Sequence, residues 1–344
     1  MNGLDRLAEL DAAPLSPTLS PANTRACWAA AVDGARRVDL GRPLPGPLPA
    51  CVTIVASANV FTAPMEWAWA LGSRGVHVIL KSARGLTAVG EALASALPNV
   101  EHRGWRGGDE AAEAEALAES NAAIVFGSAE TIAAIRARSP VPVLGFGPRF
   151  GLGFLDREDH GLFRGVARDH ALYDGRGCMS PAAVVVSPEV DVDDVAHGIA
   201  AAMEAAEAAL PLGEITATEA AELRALALLG RVEGRVHSGR GWLVVTLPLA
   251  RLRPRALPRA VVLHSATLAA VAPAIAPWRA ELGTLAVGDA AEDDLRNRPD
   301  LAAALGLMGL PPARVCALGE MQRPPGDRAL HDGIDVLAAL AHRG

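Results

Sequence analysis

The chain has 344 residues, 51% hydrophobic but only 4% aromatic, with 32 Lys and Arg against 39 Asp and Glu for a net charge of −7. That length suggests about two domains, with cores built from Ala, Leu and Val. The acidic balance argues against a nucleic-acid surface, and no apolar stretch is long enough to span a membrane.

Asp5, Arg6 and Glu9 interrupt the amino terminus, which is unlike a secretory signal, so a cytoplasmic location is expected. The four cysteines, Cys27, Cys51, Cys178 and Cys316, are far apart and form no C-x-x-C pair. Neither a disulfide framework nor a metal centre is expected from them. Cys51 and Cys316 lie in apolar, strand-like runs and read as small buried hydrophobes.

In chain order, residues 1–49 read as one helical segment near 25–32 followed by a Pro-rich connector, Arg42-Pro43-Leu44-Pro45-Gly46-Pro47-Leu48-Pro49. Those prolines remove backbone donors and fix φ. Strands are then expected at 51–56, 76–80, 122–126 and 141–144, and helices at 63–71, 86–96 and 129–138. Short apolar strands separated by helices indicate a parallel sheet. The acidic segment 109–119 reads as a solvated helix. Beyond Cys178, a strand is expected at 182–186 and helices at 192–209 and 218–229, the latter with Thr218 as N-cap. Segments 235–237 and 242–247 flank Ser238-Gly239-Arg240-Gly241 as a hairpin. A strand at 260–264, a helical stretch at 301–307, a strand at 314–318 and a helix at 336–341 complete the pattern. The expected fold is α/β with two lobes, parallel-sheet cores and a β-ribbon extension. Its expected divisions are an amino-terminal segment, 1–49; a cofactor-binding lobe, 50–150; a catalytic lobe, 151–330, including the hairpin 233–247; and a carboxyl-terminal helix, 331–344.

Ligands of open α/β sheets sit beyond the carboxyl ends of the strands. In the first lobe those ends carry Ser57-Ala58-Asn59, Lys81-Ser82-Ala83-Arg84 and Gly127-Ser128-Ala129-Glu130. Gly127-Ser128 opens a helix, and a helix start attracts phosphate. Lys81 is the only lysine of the chain, so it is less readily dismissed as generic surface charge. The glycine spacing of the usual dinucleotide fingerprint is absent after the first strand. Cys178 stands in Gly175-Arg176-Gly177-Cys178-Met179-Ser180-Pro181, between a Gly-rich loop and an apolar strand. Such a loop can present a thiol rigidly. His170 precedes it closely enough in sequence to be a candidate for tuning its acidity.

Asn59 in Ala56-Ser57-Ala58-Asn59-Val60, Lys81 in Val78-Ile79-Leu80-Lys81-Ser82, Gly127-Ser128 and Cys178 occur in the order of the aldehyde dehydrogenase superfamily, which the chain resembles. The stretch from Leu172-Tyr173-Asp174 to Pro181 is similar to that superfamily's acyl-thioester-reducing branch, the bacterial bioluminescence-type long-chain acyl-CoA reductases. So are Gly241-Trp242-Leu243-Val244-Val245, Leu257-Pro258-Arg259, Gly319-Glu320 and His331-Asp332-Gly333. The motifs span roughly residues 50–340, in order rather than as one long match. The chain is shorter than those reductases usually are, and the difference is expected at its amino terminus and in trimmed insertions.

The resemblance implies that Cys178 attacks an acyl thioester, on CoA or acyl-carrier protein, to form an acyl-enzyme. The Asn59 amide and the Cys178 N–H would hold the oxyanion, each such donor being worth about 3 kcal/mol. Hydride from a reduced nicotinamide then gives a thiohemiacetal, which releases the aldehyde. Aldehyde-oxidising relatives carry a Glu base in the segment matching Leu144-Gly145-Phe146-Gly147; none occurs here, which favours thioester chemistry over hydrolysis. Ser57, Lys81, Arg84, Gly127 and Ser128 would bind the cofactor. Arg84 stands where NAD-preferring relatives often carry an acid, so NADPH is expected. Glu320 would face the nicotinamide ribose or pair with Arg323. His331-Asp332 would be an oriented base or a helix cap. The hairpin resembles the superfamily's oligomerising ribbons, so a homodimer is expected. Two other readings stay open: an acyl-Cys transferase or thioesterase-like protein without hydride transfer, and a non-catalytic subunit that retains the fold.

Overall fold

The structure, a computed structural model, describes residues 2–288, 314–323 and 330–342; the helical stretch expected at 301–307 lies outside them. Its contacts divide into two compact units: Met1–Pro17, Thr24–Pro148 and Arg323–Gly344 form the first, and Thr18–Asn23 with Arg149–Gln322 the second.

The first unit begins with α1 (Gly3–Glu9) and most of α2 (Pro21–Arg36). The sequence reading does not anticipate α1, although Asn2 and Asp5 close a reciprocal capping box at its start. Five parallel strands follow: β1 (Cys51–Val55), β2 (His77–Lys81), β3 (Val100–His102), β4 (Ala122–Phe126) and β5 (Val143–Phe146), in the spatial order β3-β2-β1-β4-β5. Helices α3 (Ala63–Ser73), α4 (Thr87–Ala96), α5 (Glu110–Ala118) and α6 (Ala129–Arg138) connect them. β1 and β4 are buried along their whole length, which is why both read as unbroken apolar runs. β3 escapes the sequence reading because it has three residues, two of them polar. The chain runs from β1 to β3 on one side, then returns to place β4 beside β1. That reversal is the topological switch point where parallel sheets bind ligands.

The second unit contains β6 (Phe150–Leu155), α7 (His160–Ala171), β7 (Pro181–Val186), α8 (Val192–Ala209), α9 (Ala217–Glu233), β8 (Arg235–Ser238), β9 (Leu243–Thr246), β10 (Ala260–Ser265), α10 (Leu268–Ile275), β11 (Leu282–Val287) and β12 (Arg314–Cys316). Its sheet runs β12-β11-β6-β7-β10-β9-β8, parallel except for the antiparallel pair β8–β9. The expected hairpin is therefore present. Because β9 pairs in parallel with β10, the ribbon extends the sheet, with β8 outermost. Alternate residues of β7 face opposite layers, as the pleat dictates. Val184 and Val186 pack with Leu162, Phe163 and Val166 of α7 and Met203 of α8. Ala183 and Val185 pack with Leu268, Val271 and Ile275 of α10.

β6 and α7 are both unanticipated. Glycines interrupt the apolar pattern of β6 for a packing reason: a Cβ on Gly153 would lie 3.1 Å from the Val184 side chain and 3.2 Å from that of Leu318. In α7, Leu162, Phe163, Val166 and Ala167 do form a helical stripe after the capping residue Asp159, a signal that was legible. The cap of α9 is Thr216, not Thr218. Thr216 and Glu219 have the three-residue spacing of a capping box, and Thr216 Oγ1 accepts from the Glu219 N–H at 3.2 Å.

In the first unit, β13 (Leu330–His331) and β14 (Ile334–Asp335) form a tight antiparallel hairpin before the helix Val336–Ala341. Asp332 and Gly333 both have positive φ, as an Asp-Gly hairpin turn requires.

Candidate active site

Each chemistry-bearing segment of the first unit lies at the carboxyl edge of its sheet. Ser57 and Asn59 follow β1, Asn59 being exposed. Lys81 is the last residue of β2. Gly127 and Ser128 follow β4, and Ser128 caps α6 by accepting from the Thr131 N–H at 3.2 Å. A cleft of about 520 Å³ lined by Arg42, Arg74 and the Pro-rich connector adjoins Ala50 and Val76, at the amino ends of β1 and β2, the wrong edge for such a site.

Lys81 is only 9% exposed, yet its ammonium makes no hydrogen bond or ion pair among the described residues. Burial pushes its pKa down, opposed by the field of Glu113. Arg84, exposed in the turn after β2, is likewise unpaired among the described residues. A buried cation without a partner is costly unless an anion completes the site. The sequence reading missed that Ser82 Oγ lies 2.9 Å from His102 Nε2, because this contact depends on β3. Glu130 places a carboxylate in the first turn of α6, which offsets part of that helix start's attraction for phosphate.

In the second unit, Cys178 is half-buried while the other three cysteines are buried. It occupies a turn closed by the Ser180 N–H donating to Gly177 O at 2.9 Å, immediately before β7. The chain enters this turn through three consecutive left-handed residues, Tyr173 (φ 54°), Asp174 (φ 53°) and Gly175 (φ 71°). For the two that are not glycine this costs about 1–2 kcal/mol each. The fully buried Asp174 carboxylate holds the bend. Its Oδ1 accepts from Arg259 Nε and Nη2 at 2.9 and 2.7 Å and from Asn23 Nδ2 at 2.9 Å. Its Oδ2 accepts from Arg176 Nη1 at 3.2 Å and the Gly213 N–H at 3.1 Å. The Arg259 backbone N–H also donates to Asp174 O, and Arg259 Nη1 reaches Glu207 at 2.8 Å. Arg176, two residues before Cys178, is clamped on Glu219 at 2.8 Å, and that hydrogen bond pulls the Glu219 pKa down to about 2.

Two buried titratable residues end α7. Asp169 accepts from the Gly319 and Met321 N–H groups at 2.6 and 3.0 Å, and burial outweighs those bonds to push its pKa up to about 7. Burial alone pushes His170 down to about 3, and its Nε2 has no hydrogen-bond partner among the described residues, which favours the neutral imidazole. Glu320 lies between the two N–H donors, its carboxylate 3.7 Å from Arg168, and Arg323 lies 3.0 Å from Asp33. His331 belongs to the first unit, where its ring packs edge-on against Phe146, Phe126 and Trp67 at centroid distances of 4.3, 5.3 and 5.9 Å. Asp332 forms the hairpin turn, and the cap of the final helix is Asp335.

The family model for acyl-CoA reductase (LuxC) matches residues 52–343. The chain belongs to the acyl-CoA reductase family. Its fold is similar to that of a NAD-dependent aldehyde dehydrogenase from Burkholderia multivorans (TM-score 0.56, 16% identity, covering 93% of this chain and 71% of that one). It is also similar to aldehyde dehydrogenase 21 from Physcomitrella patens in complex with succinate (TM-score 0.64, 14% identity, 96% and 78% covered). A Thermus 1-pyrroline-5-carboxylate dehydrogenase with bound NAD gives a TM-score of 0.57 at 17% identity, with 99% and 80% covered. No curated protein matches the chain in sequence. This acyl-CoA reductase family member is thus an oxidoreductase acting on acyl thioesters or aldehydes, and its family and fold imply a nicotinamide cofactor. Its residues fit one: the unpaired Lys81 and Arg84 suit an anionic dinucleotide at the carboxyl edge of the sheet. Among the described residues, no helix is long and apolar enough to cross a membrane.

Arg259→Met is expected to cost about 3–5 kcal/mol in urea denaturation, because it leaves a buried carboxylate without its principal partner. Arg255→Met, which breaks the more exposed pair with Glu222, should cost less than about 1 kcal/mol. The two buried residues of α7 act oppositely in pH. Asp169 binds its proton more tightly folded (about 7) than unfolded (3.8), so its contribution is full below the lower value and lost as pH rises through the higher. His170 is depressed from 6.5 to about 3, so its contribution is full above 6.5 and lost as pH falls through 3. Urea melts between about pH 4.5 and 6.5 should therefore show His170→Gln losing less stability on acidification than the parent, and Asp169→Asn losing more.

Proposed function

We propose that this chain reduces an acyl thioester, carried by CoA or acyl-carrier protein, to an aldehyde through a Cys178 acyl-enzyme, with NADPH as reductant. The observation that carries the reading is the presentation of Cys178: the one incompletely buried thiol of the chain stands in a tight turn fixed by a buried ionic cluster, in a member of the acyl-CoA reductase family.

The Cys178 thiolate adds to the thioester carbonyl, and collapse of the adduct expels the carrier thiolate and leaves an acyl-Cys178 thioester. This exchange is close to energy-neutral, and sulfur is a strong nucleophile for it. NADPH, when bound, supplies a hydride. The resulting thiohemiacetal loses its proton, breaks the C–S bond and returns the Cys178 thiolate as aldehyde leaves. Asn59 is the proposed side-chain donor to the oxyanion, with the Cys178 N–H. The segment Leu144-Gly145-Phe146-Gly147 offers no carboxylate to activate water, which protects the acyl group until reduction. Lys81 and Arg84, with Ser57, Gly127 and Ser128, are the proposed cofactor contacts; Arg84 and the buried Lys81 favour a dinucleotide bearing a 2′-phosphate. Glu320 is proposed to face the cofactor's nicotinamide end. A homodimer is the proposed assembly, supported by the open outer edge of β8 and by Leu228 and Val232 of α9, which are 59% and 82% exposed.

The test is incubation with a panel of acyl-CoAs, with and without NADPH, following absorbance loss and released CoA together. Cys178-dependent NADPH consumption with aldehyde formation is expected. CoA release without NADPH use would instead identify a transferase or thioesterase. Absence of any acyl adduct on Cys178 by mass spectrometry would leave a non-catalytic subunit. Asn59→Ala should lower kcat by about 10²-fold. Arg84→Glu should raise KM for NADPH while sparing that for NADH.

A further inference from the structure

Among the described residues the fully buried Asp169 carboxyl has no acidic or basic partner at hydrogen-bond distance; both of its oxygens are occupied by backbone N–H groups of one turn, Gly319 on Oδ2 and Met321 on Oδ1. Those two donors bracket Glu320. The Asp169 backbone carbonyl reaches the same turn, accepting from Gln322 Nε2 at 3.1 Å. The same amide nitrogen donates at 2.6 Å to the Oγ of Ser180, which is 1% exposed and closes the turn containing Cys178.

Glycines make this junction possible. A Cβ on Gly165 of α7 would lie 2.7 Å from Leu318 O, and one on Gly319 would lie 2.9 Å from Gly165 Cα. The helix and the turn therefore meet backbone to backbone, close enough for the short Asp side chain to reach. On the other side, a Cβ on Gly177 would lie 2.9 Å from Gln322 Oε1, so the Cys178 turn rests directly on that amide. Arg314 donates to Met321 O at 3.0 Å, and its guanidinium lies 3.9 Å from the Met179 sulfur, next to Cys178. Burying a carboxylate is unfavourable, and an amide there would offer only one acceptor oxygen to two donors. The site is thus matched to a carboxyl group, with one oxygen facing each donor.

We propose that Asp169 is a positioning residue that fixes the turn carrying Glu320 and the turn carrying Cys178 as one rigid unit. The proposal rests on reading Cys178 as the acyl acceptor and Glu320 as a cofactor-facing group. The thiol must keep one geometry through acylation and reduction, and displacement of about 1 Å can cost on the order of 10²-fold in rate.

The test is a double-mutant cycle in the full chain with Asp169→Asn, Glu320→Ala and the pair, reading NADPH-linked kcat/KM and, separately, CoA release without NADPH. Asp169→Asn is expected to reduce NADPH-linked kcat/KM by roughly 10–100-fold, to add less in the Glu320→Ala background than in the parent, and to slow the NADPH-independent CoA release that reads the Cys178 turn. Full additivity, or parental activity in Asp169→Asn, overturns the proposal. If Asp169→Asn does not fold, Gln322→Leu serves in the same cycle, since it cuts the link to Ser180 and leaves the carboxylate in place; parental acylation and reduction rates in it overturn the proposal. Amide exchange over 177–181 and 317–322 reads the coupling without catalysis. Asp169→Asn should accelerate exchange in both segments together, and a change confined to 317–322 overturns the coupling. A parent that showed no NADPH oxidation would fail the functional reading, while the exchange result would still decide the positioning role.

Discussion

The buried pairing of Asp174 with Arg259 is the interaction on which the presentation of Cys178 depends. The chain must leave α7, reverse, and enter β7 within a few residues, and it does so through three successive left-handed conformations. Such a bend is not self-sustaining. It persists because the Asp174 carboxylate takes five hydrogen bonds from Arg259, Arg176, Asn23 and Gly213, which lie on four different segments. Two guanidiniums and three carboxylates, Asp174, Glu207 and Glu219, share this cluster, so the buried Asp174 charge is compensated by the geometry of its donors, while the third carboxylate lies toward the cluster's edge. Asp tolerates the left-handed region better than most residues and has the reach for the cluster, which accounts for its place in the bend.

Beyond that bend, the second unit uses close backbone approach to hold its remaining chemistry. Gly165 against Leu318 and Gly319, and Gly177 against Gln322, let buried polar groups connect segments directly. The first unit works differently. Its parallel strands end in small or polar residues on one edge, and the sheet's reversal between β1 and β4 opens the space beside them. There Lys81, with no charged partner among the described residues, is buried at the end of β2. The bend fixes the turn of the half-buried Cys178, and the sheet edge carries Lys81 and Arg84.

Much of the fold was legible because buried parallel strands are continuous apolar runs. β4 and α6 lie at the expected residues, and β1, β2 and β5 within two residues of them. The failures have physical causes. β6 is disguised by glycines that make room for neighbouring side chains, and β3 is too short and polar to register. The cap expected at His331-Asp332 is Asp335 instead, and the positive φ values of Asp332 and Gly333 make that dipeptide a hairpin turn, a conformation available from the dipeptide itself. The cap expected at Thr218 lies at Thr216, whose three-residue spacing to Glu219 is that of a capping box.

The sequence by itself determined the α/β class, the continuous apolar strands such as β1 and β4, and the singular setting of Cys178 between glycines and a proline. Each of these is encoded locally, in hydrophobic period, turn residues and motif order. The tertiary structure alone decided that Arg259 anchors the bend, that Asp169 holds the Glu320 turn, and that Ser82 meets His102. Arg259 lies 85 residues from Asp174, and Gly319 lies 150 residues from Asp169. Partners so far apart leave no periodic trace in the chain. Only the packing of strands and helices brings them within hydrogen-bond distance, and only burial gives those bonds their weight.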